Sequence, residues 1–355
     1  GGGCGKLLLE PQRTNIALRS QELNNTIWTT EASSATVTAN AITSKWGVVD
    51  ADKIVASVSG GVTHYIRQAS ISVTANIYTF SILAKADEWD TIELRGTNFW
   101  ASNPIGIFDL SNGIVLSNLF ANASIEDWGD GWYLCIVTAT TNPVVGGNGK
   151  FQISIGNGGA LSLAGDGTSG VFVSDAQLEL GNYVTSRIVT LGTAVTRTQD
   201  SASKTGISSL INSTEGTMLL EMRYEAQQTS RFVISDGTSN NWIFFSYPES
   251  NNQTRVRIAA SGVVAVNETS GAVFTANQNY KIALAYKSGS WALYINGTSV
   301  LSGAQTFTFN GTLSVFLLSG GFSPGLPEGV YGKISQALLF KTRLTNAELS
   351  ALTTL

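Results

Sequence analysis

The stretch Asp175 to Ser203 reads D-A-Q-L-E-L-G-N-Y-V-T-S-R-I-V-T-L-G-T-A-V-T-R-T-Q-D-S-A-S, and its reading divides the chain. Just upstream, Val171, Phe172 and Val173 lead into Ala176, Leu178 and Leu180 as a strand, which Gly181 and Asn182 break. Beyond the break, Tyr183, Val184, Ile188, Val189, Leu191 and Val195 are too many apolar residues for a free linker, yet they form no long periodic run. The segment is therefore expected to lie pinned on a domain surface. The organisation this predicts is a β domain over residues 1–181, a connector over 182–212 and a second β domain over 213–355.

Working outward, the upstream region is a succession of short strand signals separated by Gly, Asn and Asp. Leu7-Leu8-Leu9 is an apolar strand stopped at Pro11. Tyr78 to Lys85 and Thr91 to Arg95 alternate, and Gly106 to Leu110 and Gly113 to Leu116 flank a tight Ser-Asn turn. Downstream, Thr217 to Tyr224 alternates, and Trp291 to Val300 carries Asn296-Gly297, the two positive-φ positions a type I′ hairpin requires. The chain closes on Thr345-Asn-Ala-Glu348, a capping box, with Leu349 and Leu352 behind it. The predicted fold class is all-β, two β-sandwich jelly-roll domains in tandem with one short C-terminal helix.

Composition agrees and removes several functions. A length of 355 residues suits two domains with separate cores, and 13% charged residues with 37 glycines suit a turn-rich β protein. A net charge of -4, a pI of 5.2 and no Lys/Arg cluster offer nucleic acid no basic face. No window reaches the roughly 20 apolar residues that cross a bilayer, so no membrane insertion is expected. The chain begins at Gly1 without a methionine, which fits a fragment or a processed product. Cys4 and Cys135 make no disulfide framework and read as two reduced thiols, which leaves the compartment open.

Several strings together resemble a recurrent module of tailed-bacteriophage virion proteins. They are Leu7 to Asn15, His64 to Gln68 (H-Y-I-R-Q), Tyr78 to Ala86, Phe108 to Val115, Gly131 to Thr138 and Ala176 to Gly181 (A-Q-L-E-L-G). That module is similar to the jelly-roll carbohydrate-binding families. Residues 213–355 resemble the concanavalin A-like, laminin-G-type sandwich, on the order of hairpin, core strand and final helix. The resemblance implies a virion protein of the tail or head fibre type, with other virion proteins and host surface polysaccharide as partners and a homotrimer as the expected assembly. Two other classes stand beside it: a secreted bacterial adhesin or the binding portion of a polysaccharide hydrolase, and a purely architectural virion protein.

Catalysis finds little support. His64 is the one histidine and sits inside H-Y-I-R-Q, where a framework role is expected, and no Gly-x-Ser-x-Gly nucleophile elbow occurs. The acids around Trp89 (Asp87, Glu88, Asp90) and around Trp128 (Glu126, Asp127, Asp130) read as solvated turn acids. A pyranose offers a C–H face and a fringe of hydroxyls, so an aromatic platform with Arg and Asn is the pattern to seek. Trp89, Arg95, Asn98 and Trp100 supply it as the candidate ligand-binding set, against the competing reading of core or subunit-contact aromatics. Trp28, Trp132 and Trp291 read as framework, while Trp46 and Trp128 stay undecided. The resembled jelly rolls also carry a structural calcium near their first and last strands, which points to Glu10 and Asp175 as metal ligands.

Overall fold

The computed structural model describes the chain except for residues 1–5, 31–33, 59, 99–102, 120, 141–148, 225–228 and 319–331. The described residues are almost entirely antiparallel strand, with the single α-helix Asn346–Thr353 among them. The chain forms two compact units, one of Arg13–Arg197 and one assembled from Gly1–Gln12 with Thr198–Leu355. We call them the inserted and the bipartite unit.

In the inserted unit a seven-stranded sheet and an eight-stranded sheet enclose one core. The first centres on Val62–Ile71, Gly149–Gly156 and Thr91–Thr97; the second on Trp132–Thr140, Ile77–Ala86 and Gly170–Leu180. Alternation sends Phe80, Ile82, Ile92, Leu94, Phe151 and Ile153 between them, and Trp28 meets Phe151 edge-on at 5.2 Å. Cys135 is fully buried in this core, and burial pushes its thiol far above the usual range, so it packs as a small apolar side chain.

Gly170–Leu180 does not alternate throughout. Val171 and Val173 face the core and so do Ala176 and Leu178, because the pairing with Ile77–Ala86 slips between Ser174 and Gln177. This bulge holds Asp175 at φ 58 and turns its carboxylate to the outer face of the sheet.

The bipartite unit is also a sandwich, of two six-stranded sheets. Asn296 and Gly297 take φ 47 and 81 and close the expected hairpin. The capping box forms as well: Glu348 donates its N–H to Thr345 Oγ1 at 3.3 Å, and Thr345 N–H reaches Glu348 Oε2 at 2.7 Å. The helix buries Leu349 against Ala283, Ala285 and Tyr294 on the outer face of one sheet.

The domain boundaries differ from those expected. Leu7–Leu9 pairs with Gly332–Phe340, and Leu9 is buried in the core of the bipartite unit, so the first strand belongs with the C-terminal half of the chain. An apolar triplet carries no information about which of two hydrophobic cores it completes. The connector likewise divides at residue 197 instead of standing apart.

Leu9→Ala should lower the unfolding free energy of the bipartite unit by about 2–4 kcal/mol through lost burial and a residual cavity. Denaturation monitored separately for the two units should show that transition move while the transition of the inserted unit stays in place.

Candidate functional site: a two-tryptophan cleft on the inserted unit

The outer face of the eight-stranded sheet is apolar along Leu83, Trp132 and Leu134, and two turns close over it. One is Ser44 to Val48, between Ala35–Thr43 and Val49–Ala56, where Gly47 at φ 76 lets the chain reverse and leaves Trp46 39% exposed. The other is Trp128-Gly129-Asp130-Gly131, where three consecutive positive φ values follow a half-buried Trp128. Lys45 and Asp130 join the turns at 2.7 Å, and the rings of Trp46 and Trp128 meet edge to face at 5.9 Å.

The connector forms the remaining wall. Arg187 lies over Trp46, 4.8 Å from the ring centroid, and its Nε donates to Asp175 Oδ1 at 2.7 Å. Its second nitrogen points to Asp50 Oδ2 at 3.4 Å. The Trp46 indole N–H donates to Asp175 Oδ2. Burial pushes the Asp175 carboxyl up, against the opposing pull of Trp46 and Arg187. Ser81, Gln177, Val184 and Thr185 complete the lining.

The connector stays in place because its backbone is satisfied by side chains from beneath it. Asn15 Nδ2 donates to the carbonyls of Ala176 and Ile188 at 3.1 and 2.8 Å, and its Oδ1 accepts from Ala17 and Leu178, both at 3.0 Å. Gln177 accepts from the Ile188 N–H at 2.7 Å and donates to the Thr185 carbonyl at 3.1 Å. Glu179, fully buried, accepts from the Thr185 N–H at 3.1 Å and hydroxyl, and from Gln177 Nε2 at 2.8 Å. These are Asn15 of R-T-N and Gln177 and Glu179 of A-Q-L-E-L-G, and their role is to fasten residues 185–188.

Of the ligand-binding set expected from sequence, the described members Trp89, Arg95 and Asn98 form no common aromatic platform. Trp89 is only 7% exposed and packs its ring on His64 at 5.3 Å inside the sandwich, so it is a core residue and not a sugar platform. A large apolar ring at a strand end gains more by folding into the rim of the core than by facing water. Arg95 lies on the outer face of the seven-stranded sheet, paired with buried Glu93 at 2.8 and 3.1 Å, and Asn98 is exposed at φ 65. Trp100 lies outside the described residues.

Glu10 belongs to the bipartite unit and Asp175 to the inserted one, and the Asp175 carboxylate accepts from N–H donors, one of them cationic. Among the described residues no three of His, Cys, Asp or Glu group as metal ligands. His64 is buried with Nδ1 and Nε2 facing the carbonyls of Ser34 and Leu163, a framework position. Asp87 and Glu88 both pair with Lys53 at 2.6 Å, as surface acids do.

Sequence reasoning left Trp46 and Trp128 undecided. The available signal was their neighbour: each directly precedes a turn glycine, whereas Trp89 leads into a strand. The parity change from Val171/Val173 to Ala176/Leu178 likewise announced the bulge that aims Asp175.

Burial also raises the Glu179 carboxyl, opposed by hydrogen bonds from Thr185 and Gln177 and by the charge of Arg13. The sign follows from linkage: this group stabilises the fold fully below its unfolded pKa, and the contribution is lost as pH rises through the higher folded value. Glu179→Gln keeps one acceptor oxygen and places an amide donor beside Thr185 Oγ1. Thermal melts from pH 4 upward should show a declining component in the wild type that Glu179→Gln lacks.

Residues 195–350 match the family model of the concanavalin A-like lectin/glucanases superfamily. Among solved structures, the chain is similar to domain 4 of AbnA, an extracellular arabinanase from Geobacillus stearothermophilus solved with arabinotriose. Identity is 19%, over 46% of this chain and 74% of that one, with a TM-score of 0.34. A heptameric SAP-like pentraxin from Limulus polyphemus shares 16% identity over 40% of this chain and 70% of its own, at a TM-score of 0.32. The carbohydrate-binding module CBM66 from Bacillus subtilis shares 12% over 39% and 74%, at 0.26. No curated protein sequence matches the chain. The fold is that of all-β sandwiches, and residues 195–350 are similar to the concanavalin A-like lectin/glucanases superfamily.

Proposed function

We propose that the chain is a non-enzymatic glycan-binding protein whose inserted unit takes a saccharide at its surface, against the exposed part of the Trp46 indole where it meets Trp128. The observation that carries this reading is the cleft: an exposed indole beside a second one, with Arg187, Asp175, Gln177 and Thr185 fixed around them. Exposed indole surface can take the C–H face of a pyranose, and the Arg187 guanidinium at its edge can meet a hydroxyl. Arg187 is flanked by Asp175 and Asp50, so the cleft carries no surplus positive charge, which favours a neutral sugar over an acidic one. The concanavalin A-like lectin/glucanase match of residues 195–350 is consistent with a saccharide-binding role.

The wider setting we propose is a bacteriophage virion, with the chain as a trimeric tail or head fibre protein that meets host surface polysaccharide alongside other virion proteins. Support comes from the strings of the inserted unit, H-Y-I-R-Q and A-Q-L-E-L-G among them. Asn15, Gln177 and Glu179 in those strings fasten the wall of the cleft. A structural calcium in the resembled jelly-roll families adds a second condition for the assay.

Titration of the full chain against a panel of neutral and acidic bacterial surface polysaccharides, with and without calcium, tests the reading. Saturable binding of a neutral glycan is expected, weakened about tenfold or more by Trp46→Ala or Trp128→Ala and unchanged by Asn98→Ala. Absence of binding by the folded wild type to every glycan would leave the architectural role standing.

A further inference from the structure

The bipartite unit has a cavity of its own, of about 200 Å3, lined by Ser213, Thr214, Ser288, Phe307, Thr308 and Phe309. Three segments at one end of the sandwich build it. They are the residues before Glu215–Tyr224, the turn between Gln278–Lys287 and Trp291–Ile295, and the segment after Thr298–Gly303. On the liquid-water scale such a space holds roughly seven waters, and exposed residues at its rim open it to solvent.

Its walls are fixed before any ligand arrives. Phe307 donates its N–H to Ser288 Oγ at 2.9 Å, and Leu313 donates to Ser213 Oγ at 3.0 Å. The Gly289 N–H meets the Gln305 carbonyl at 3.0 Å, and the Trp291 indole donates to Gln305 Oε1 at 2.7 Å. The opposite wall is anchored where Tyr286 donates its hydroxyl to the Asn212 carbonyl at 2.7 Å.

The chemistry on offer is specific. Phe307 and Phe309 form an aromatic corner, their rings 5.5 Å apart and inclined at 47°. The oxygens of Ser213 and Ser288 are positioned as acceptors of backbone N–H groups, so each hydroxyl keeps its own proton to donate. Thr214, Ser288 and Thr308 stand exposed at the rim. No charged side chain lines the cavity, and the nearby Lys287 is paired with Glu215 at 3.2 Å. A phenyl wall with fixed hydroxyl donors and no net charge fits an uncharged ring that is apolar on one face and carries acceptor oxygens at its edge.

We propose that this cavity is a second, independent saccharide site, taking a single neutral pyranose, so that one chain carries two sites on two separate units. It extends the reading of the chain as a glycan binder but uses none of the residues of the two-tryptophan cleft. Weak sites on linked units gain from one another when both engage the same polymer, which suits a ligand that repeats along a surface.

Amide and indole NMR shifts of the full chain, titrated with glucose, galactose, mannose, N-acetylglucosamine and, as a charged control, glucuronate, separate the two sites. The proposal predicts saturable shifts of Thr214, Ser288, Thr308 and Phe309 with at least one neutral sugar and weaker ones with glucuronate. Phe309→Ala should raise the dissociation constant read at these amides at least tenfold and leave the Trp46 and Trp128 indole shifts untouched. Ser288→Thr, which keeps the hydroxyl, should retain binding if Phe309→Ala proves unstable. Shifts confined to the indoles would overturn the second site alone. Shifts confined to the three segments would instead remove the cleft from the account, and shifts in neither place would sink both.

Discussion

The buried carboxylate of Glu179, bonded to both the N–H and the hydroxyl of Thr185, is the interaction on which the inserted unit's outer surface depends. An irregular segment laid against an apolar sheet face must find partners for its own amides and carbonyls or forfeit several kcal/mol for each group left dry. Glu179, Gln177 and Asn15 supply those partners at Thr185 and Ile188, and Ser20 does so at Thr190. With them in place Ile188 can be buried and Arg187 stays on the rim, over Trp46. The cost is a carboxyl removed from water, which is why its pKa rises and why the fold bears that penalty at neutral pH.

The cleft is a product of local backbone irregularities. A bulge at Asp175, a glycine turn after Trp46 and a three-residue run of positive φ after Trp128 place each side chain off the regular register. Regular alternation would have sent Asp175 into the core and kept the indoles near the sheet. The same sandwich without those three departures would present a smooth apolar face covered by its own loops. The bipartite unit relies on a comparable device, since a long segment held by Ser213, Ser288 and Gln305 leaves a space that strand packing would have closed.

Much of the fold was legible because its signals are local. Period-two alternation, Asn296-Gly297 and the Thr345 to Glu348 capping box each act within a few residues, and each took its expected form. Leu7–Leu9 was misplaced because its partner, Gly332–Phe340, lies more than 300 residues away in sequence, and no local pattern encodes that pairing. Trp89 and Trp46 differ for a similar reason. Both are tryptophans near acids, but burial is decided by whether the backbone turns inward on His64 or outward at Gly47, and only the glycine could be read beforehand. Arg95 was correctly placed on a strand, yet its same-face neighbour Glu93 is committed to it at hydrogen-bond distance, a pairing that composition does not convey.

Hydrogen exchange at the connector amides tests the central claim most directly, because it reads the fastening itself, independently of any ligand. The N–H groups of Thr185, Ile188 and Thr190, bonded to Glu179, Gln177 and Ser20, should exchange as slowly as those of the strand Gly170–Leu180. Exchange at the rate of an unstructured chain would mean that residues 183–190 are not fastened, and the wall of the cleft would not exist in solution.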